Sequence, residues 1–132
     1  MFHKRFVILI ILYLTISKVI ECLQPVEIIA IHNSTVLLVK NFPKSKALKL
    51  LWWENNRNDL LNKYGVGALD RYGDFRLVVH DFGAGYKVDT HTDQDSDLLC
   101  FYEMKEQANC LVKDALFAVN NYNPKKLNFT YY

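Results

Sequence analysis

Apolar and polar residues fall into three regimes along this chain: an unbroken apolar run near the N-terminus, one stretch with helical spacing, and a series of short runs rich in β-branched and aromatic residues. The first regime follows the basic segment MFHKR. Residues 6–17, FVILIILYLTIS, carry no charge. As a helix this run rises about 18 Å. That is the length of a signal-peptide apolar region and short of the roughly 30 Å hydrocarbon core. Extension through residue 23 reaches about 27 Å but takes in Lys18 and Glu21. These two lie three apart on one helix face, near an end where long side chains can reach the interface, and a thinned bilayer accepts a shorter span. The expectation is a retained transmembrane anchor over residues 1–23. Lys4 and Arg5 would hold the N-terminus in the cytoplasm, and a domain over residues 24–132 would lie outside it. Lys18, Glu21 and Cys22 would then sit at the membrane interface. Cleavage after a signal peptide is the alternative, but Thr15 and Ser17 make a poor small-residue site. Lipidation of Cys22 fails, because Val19, Ile20 and Glu21 precede it where small residues are needed.

Beyond residue 24 the pattern changes. PVEIIAIH, residues 25–32, is β-branched and apolar on both faces, as a buried strand is. NST turns the chain, and VLLVK, residues 36–40, returns it as a hairpin. NFPK breaks the sheet. Ser45 can then cap a helix over residues 46–64 that Gly65 stops. At about 100° per residue, Leu50, Trp53, Leu60, Leu61 and Tyr64 share one face, the predicted core stripe. Leu48, Leu51 and Trp52 fall nearly opposite, so the first turns are apolar on two sides. A covering strand or loop would account for that patch; an exposed contact surface for a protein partner or a membrane is the sharper reading. FRLVVHDF, residues 75–82, alternates, with Phe75, Leu77 and Val79 inward and Arg76 and His80 outward. GAG then folds the chain back into YKV as a second hairpin. LLCFYEM, CLVK, ALFAVNN and KLNFTYY bring the set to about seven short strands. One long helix among them predicts an α+β domain on a small antiparallel sheet.

Composition sharpens this in two places. The formal charge is +2, but residues 1–21 hold Lys4, Arg5 and Lys18 against Glu21, and the remainder balances 13 basic with 13 acidic residues. A neutral domain excludes non-specific nucleic-acid binding, which needs many phosphate-neutralising cations. Within it the charges separate. Residues 40–63 carry six basic and two acidic side chains, and residues 81–106 seven acidic and two basic. These are solvated faces that attract each other or steer a charged partner. With residues from about 24 onward outside the cytoplasm, Cys100 and Cys110 read as a disulfide around FYEMKEQAN. Closing a loop of this size is worth about 2.5–3 kcal/mol, against about 5–10 kcal/mol in total for such a domain. Cys22 is left over and can link two copies into a homodimer.

Candidate chemistry is sparse. His80, Asp81 and His91 offer a general base, but neighbouring strand residues point to opposite faces, and no Ser or Cys stands in a nucleophile context. Asp89, His91, Asp93, Asp95 and Asp97 alternate like part of a Ca²⁺ loop. Counted from Asp93, Leu98 and Met104 occupy the positions that require Gly and Glu. FGAGY is too short of glycines for a dinucleotide fingerprint. No catalytic residue, metal or cofactor is expected.

PVEIIAIH, LLVKNFP, LLWWENN followed by LLNKYG, DFGAGYK and DLLCFYEMKEQANC occur in an order that resembles the enterobacterial putative membrane proteins of unknown function, over residues 24–120. The resemblance implies a bacterial inner-membrane protein with one N-terminal helix and a periplasmic domain. It favours an anchor over cleavage, and it supports pairing of Cys100 with Cys110, which match the two cysteines of that family. It brings no catalytic residues. Members of that family usually continue past the position of Tyr132 with a further glycine-containing hairpin; the resemblance therefore puts the last sheet edge in question, and an unpaired edge is an association hazard. The resulting expectation is a non-enzymatic protein-binding module of the immunity or inhibitor type, with Leu48, Leu51 and Trp52 as its contact surface. The rival from another class is a periplasmic hydrolase using His80 or His91, and a third is an envelope factor with a cleaved signal peptide.

Overall fold

The computed structural model describes residues 2–92, 97–123 and 126–132, with the side chains of residues 18–23 outside the description. Lys18, Glu21 and Cys22, expected at a membrane interface, fall in that last group. Asp93 and Asp95 of the acidic series also lie outside the described residues.

Helix α1 spans Phe2–Leu23. The reading of residues 1–23 as a transmembrane anchor is corrected here: among the described residues no helix is long and apolar enough to cross a membrane. The uncharged run is twelve residues long, and the turns that would extend it carry Lys18 and Glu21. The helix forms, but its apolar length falls well short of a hydrocarbon core.

The remaining elements are β1 (Glu27–His32), β2 (Val36–Lys40), α2 (Lys46–Tyr64), β3 (Arg76–Asp81), β4 (Lys87–Val88), β5 (Leu98–Cys100), β6 (Ala108–Val112), β7 (Ala115–Asn120) and β8 (Asn128–Tyr131). They build two sheets, one of five strands in the order β1-β2-β3-β7-β8 and one of three in the order β4-β6-β5. The larger sheet is mixed rather than antiparallel. The crossover through α2 returns the chain parallel to β2, so β2 and β3 pair in parallel, as a strand–helix–strand unit requires. β4 pairs with β6 instead of folding back on β3, so the expected second hairpin is replaced by a second sheet.

Local chemistry fixes the ends. Asn33 and Ser34 both have positive φ and the Thr35 N–H bonds the His32 carbonyl, the conformation that tight hairpin turns favour. Ser45 caps α2 by accepting from the Leu48 N–H. Gly65 ends it at φ 69°, a left-handed position that glycine takes without penalty, its N–H donating to the Leu61 carbonyl and the Val66 N–H to the Leu60 carbonyl.

α2 covers one face of the large sheet. Leu37, Val39, Leu77, Val79, Phe117 and Val119 point to it and meet Trp53, Leu60 and Val66. The helix is rotated from the predicted stripe: Lys49, Trp53 and Leu60 are buried, while Leu61 and Tyr64 are exposed. Lys49 reaches through the core edge so that its ammonium donates to the Leu116 and Tyr132 carbonyls at 2.9 and 3.0 Å. A buried cation with two acceptors in place is tolerated where a bare one would not be.

The other face meets the small sheet. Leu38 packs with Phe101 and Leu111, flanked by Ala30, Phe82, Tyr86 and Leu99. A bulge in β1 makes this possible. Ile28 pairs with Val39 and Ala30 with Leu38, with a register shift between them. Residues two apart normally share a face, yet Ile28 packs against the α2-side core and Ala30 against the small-sheet core. The bulge inverts the alternation and turns His32 toward the small sheet.

Candidate functional site

Three places carry chemistry. The first is the seam between the sheets. His32 is buried and stacks on Phe101 with ring centres 3.7 Å apart. Its Nδ1 lies 2.7 Å from Glu103 Oε1 and its Nε2 2.7 Å from the Tyr86 hydroxyl. An ionised carboxylate only accepts, so in the neutral ring Nδ1 carries the proton and Nε2 accepts from the phenol. The hydrogen bond from its own backbone N–H most strongly favours the Glu103 carboxylate; with His32 it outweighs desolvation and holds the carboxyl below its ordinary range. Burial, then the Glu103 and Glu106 carboxylates, push the Tyr86 phenol up. A carboxylate–imidazole–hydroxyl relay is thus present, but its hydroxyl is made less acidic rather than activated, and none of the three lines either groove. It is a clasp: it joins β1, the chain before β4 and the disulfide-closed loop. Beside it Cys100 and Cys110 face each other across β5 and β6, joined at 2.05 Å. Sequence reading treated His32 only as the end of a strand. Its partners, from residues 86 and 103, are brought to it by tertiary pairing that no spacing announces.

The second place is a groove of about 880 Å³ at the end of the domain where α2 stops and β1 turns into β2. It runs over the part of the large sheet that the small sheet leaves open. Arg76, Val78 and His80 of β3 line it, with Asn33 and Thr35 of the turn, Gly67 beyond α2, and Tyr122 and Tyr132. Arg76 is exposed, as are both tyrosines. Burial pushes His80 down, opposed by Asp114 and reinforced by Arg76 and Lys113, so its ring is neutral at pH 7. Its Nδ1 is buried without a hydrogen-bond partner among the described residues. The buried nitrogen is least costly as the bare acceptor, which leaves the proton on Nε2.

The third place is a groove of about 650 Å³ at the opposite end, beside the start of α2. The residues Leu48, Leu51 and Trp52 all line it, with Phe42, Pro43, Lys44 and residues 24–26. Leu48 and Leu51 remain 46% and 49% exposed. Trp52 is partly covered by an edge-on contact with Phe42 at 5.2 Å, so a loop shields one of the three and leaves the other two open.

The structure keeps His80 and His91 in different settings. His91 is an exposed loop residue, 3.3 Å from the Asp89 carboxylate, and does not line the groove that holds His80. Among the described residues one set of ligand atoms lies close enough for a metal, from Asp89, Cys100 and Cys110. Both of its sulfurs are consumed by the disulfide, which removes the thiolates a metal would need.

No curated protein and no solved structure matches the chain. The profile of the family described as enterobacterial putative membrane protein (DUF943) matches residues 3–132. That span takes in both grooves, the clasp, the cysteine pair and the apolar N-terminal helix, and the chain belongs to this family.

Proposed function

We propose that this protein is a membrane-associated binding module whose domain works in the periplasm, without catalysing a reaction, and that it holds a protein partner in the groove between Arg76, His80, Tyr122 and Tyr132. The observation that carries this reading is the composition of that groove. Exposed tyrosines and an arginine with no ion pair among the described residues surround a neutral imidazole. Tyr and Arg are the side chains that most often anchor protein interfaces. The disulfide supports an oxidising compartment, and the family description supports membrane association. An immunity or inhibitor protein, which holds its target without chemistry, is one form of such a module. Hydrolysis has less support: no hydroxyl or thiol is hydrogen-bonded to His80 among the described residues, as nucleophile activation asks.

The test is photo-crosslinking in intact envelopes. A photoreactive residue at position 122 is expected to give a discrete crosslinked product that Arg76→Glu abolishes. The same residue at position 102, which is 82% exposed but outside the groove, is expected to give none. Identical products from both positions would sink the assignment of this groove.

A further inference from the structure

We propose that the groove beside the start of α2 rests on an anionic lipid surface, so that Leu48, Leu51 and Trp52 are a membrane seat. The inference rests on the membrane association above but not on the partner groove.

The argument begins with α1. Its side chains from Phe2 to Ile16 are exposed around the whole circumference, and among the described residues neither core contains one from α1. A helix apolar on every side needs apolar surroundings, and a protein groove would cover only one of its sides. Lipid covers all of them.

The chain then leaves α1 at Leu23, and the next three residues line the groove. Three residues reach at most about 10 Å. Whatever surface receives α1 therefore lies next to Leu48 and Leu51.

The groove has the chemistry of an interface. Among the described residues Lys44 is its one charged lining residue, and no carboxylate lines it. Apolar leucines, an amphipathic indole and a lysine are what the headgroup boundary selects, and a lysine there is attracted to anionic lipid. Asn41, Asn55 and Asn56 supply polar groups at the rim. The 19 residues of α2 rise about 28 Å, which holds the partner groove away from the surface.

The test uses the full chain with vesicles of phosphatidylethanolamine and phosphatidylglycerol whose acyl chains carry bromine near the headgroup. Trp52 and Trp53 are the two indoles of the protein, and Trp53 is 3% exposed in the core. Binding is expected to quench most of the Trp52 emission, and Trp52→Phe should abolish the change. Leu51→Asp and Lys44→Glu, both at exposed positions, are expected to leave co-sedimentation intact while quenching falls severalfold. Failure to co-sediment at all overturns this inference together with the membrane association it rests on. Co-sedimentation without quenching overturns the seat alone. Quenching of equal strength in phosphatidylcholine vesicles overturns the anionic preference. A Trp52 blue shift that follows protein concentration rather than lipid would assign the groove to a second copy.

Discussion

The two faces of the five-stranded sheet are covered in different ways. Facing α2, the contacts among described residues are nearly all apolar: Trp53 and Leu60 interlock with side chains from three strands, and Lys49 at the margin is the buried charge. Facing the small sheet, the apolar cluster is thinner. It is supplemented by a disulfide and by the His32 clasp, and it stops short, leaving a groove over β3 and β7. Closure by a continuous apolar layer gives stability but no room. Closure by discrete bonds holds a cover in place and leaves part of the sheet open for a ligand.

The largest effect expected from breaking this contrast is on the α2 side. Trp53→Ala removes a buried indole and should cost about 3–5 kcal/mol, read as a lower urea midpoint. On the other side, Cys100→Ser with Cys110→Ser should cost about 2.5–3 kcal/mol. If the cover is held by its bonds, that loss should come with faster hydrogen exchange in β4 to β6 while β2 and β3 stay protected. Uniform exchange across both sheets would remove the distinction.

Glu103→Gln is expected to cost about 1 kcal/mol, since it replaces a charge-assisted bond at a half-exposed site. It also carries a pH signature. The folded carboxyl titrates below its unfolded value, so its contribution is present above the unfolded value and lost as pH falls through the folded one. The variant should lack that acid-side slope in thermal melts. His80 acts at higher pH. Its folded value is depressed from 6.5, so the unfolded chain binds the proton first and stability should decline as pH drops below about 6.5. His80→Gln should flatten that decline. Smallest of all, Leu51→Asp should change stability by no more than about 0.5 kcal/mol, because the leucine lies outside both cores. A larger loss would mean that the groove wall is structural.

Much of the α2 side was legible in the sequence. Ser45 and Gly65 bracket α2 because cap chemistry is local, and apolar runs locate the strands. What the sequence hid was relational. Leu61 and Tyr64 looked like core, and nothing in the pattern marked Lys49 as buried. At the register shift in β7 the Leu116 carbonyl accepts from Lys49 as well as from the Tyr132 N–H, and no periodicity encodes that. YKV pairs with a strand some twenty residues later rather than with its neighbour. The N-terminal apolar run was read as an anchor by extending it across Lys18 and Glu21, which its length does not support. Of the candidate surfaces, Leu48, Leu51 and Trp52 were found by their angular position on the helix. The Arg76 groove was not, because its floor is the second face of a strand already assigned by its first.

The bulge in β1 works as a frame shift. Upstream of it, even-numbered residues are read by the helix layer; downstream, even-numbered residues are read by the small sheet. Pairing without the bulge, with Ile29 opposite Leu38, would instead keep a single frame and return Ala30 and His32 to the helix side. The imidazole would then face a core with no acceptor for it, and Glu103 and Tyr86 would lose their shared partner. One inserted residue thus lets six consecutive strand positions serve two layers of the protein at once.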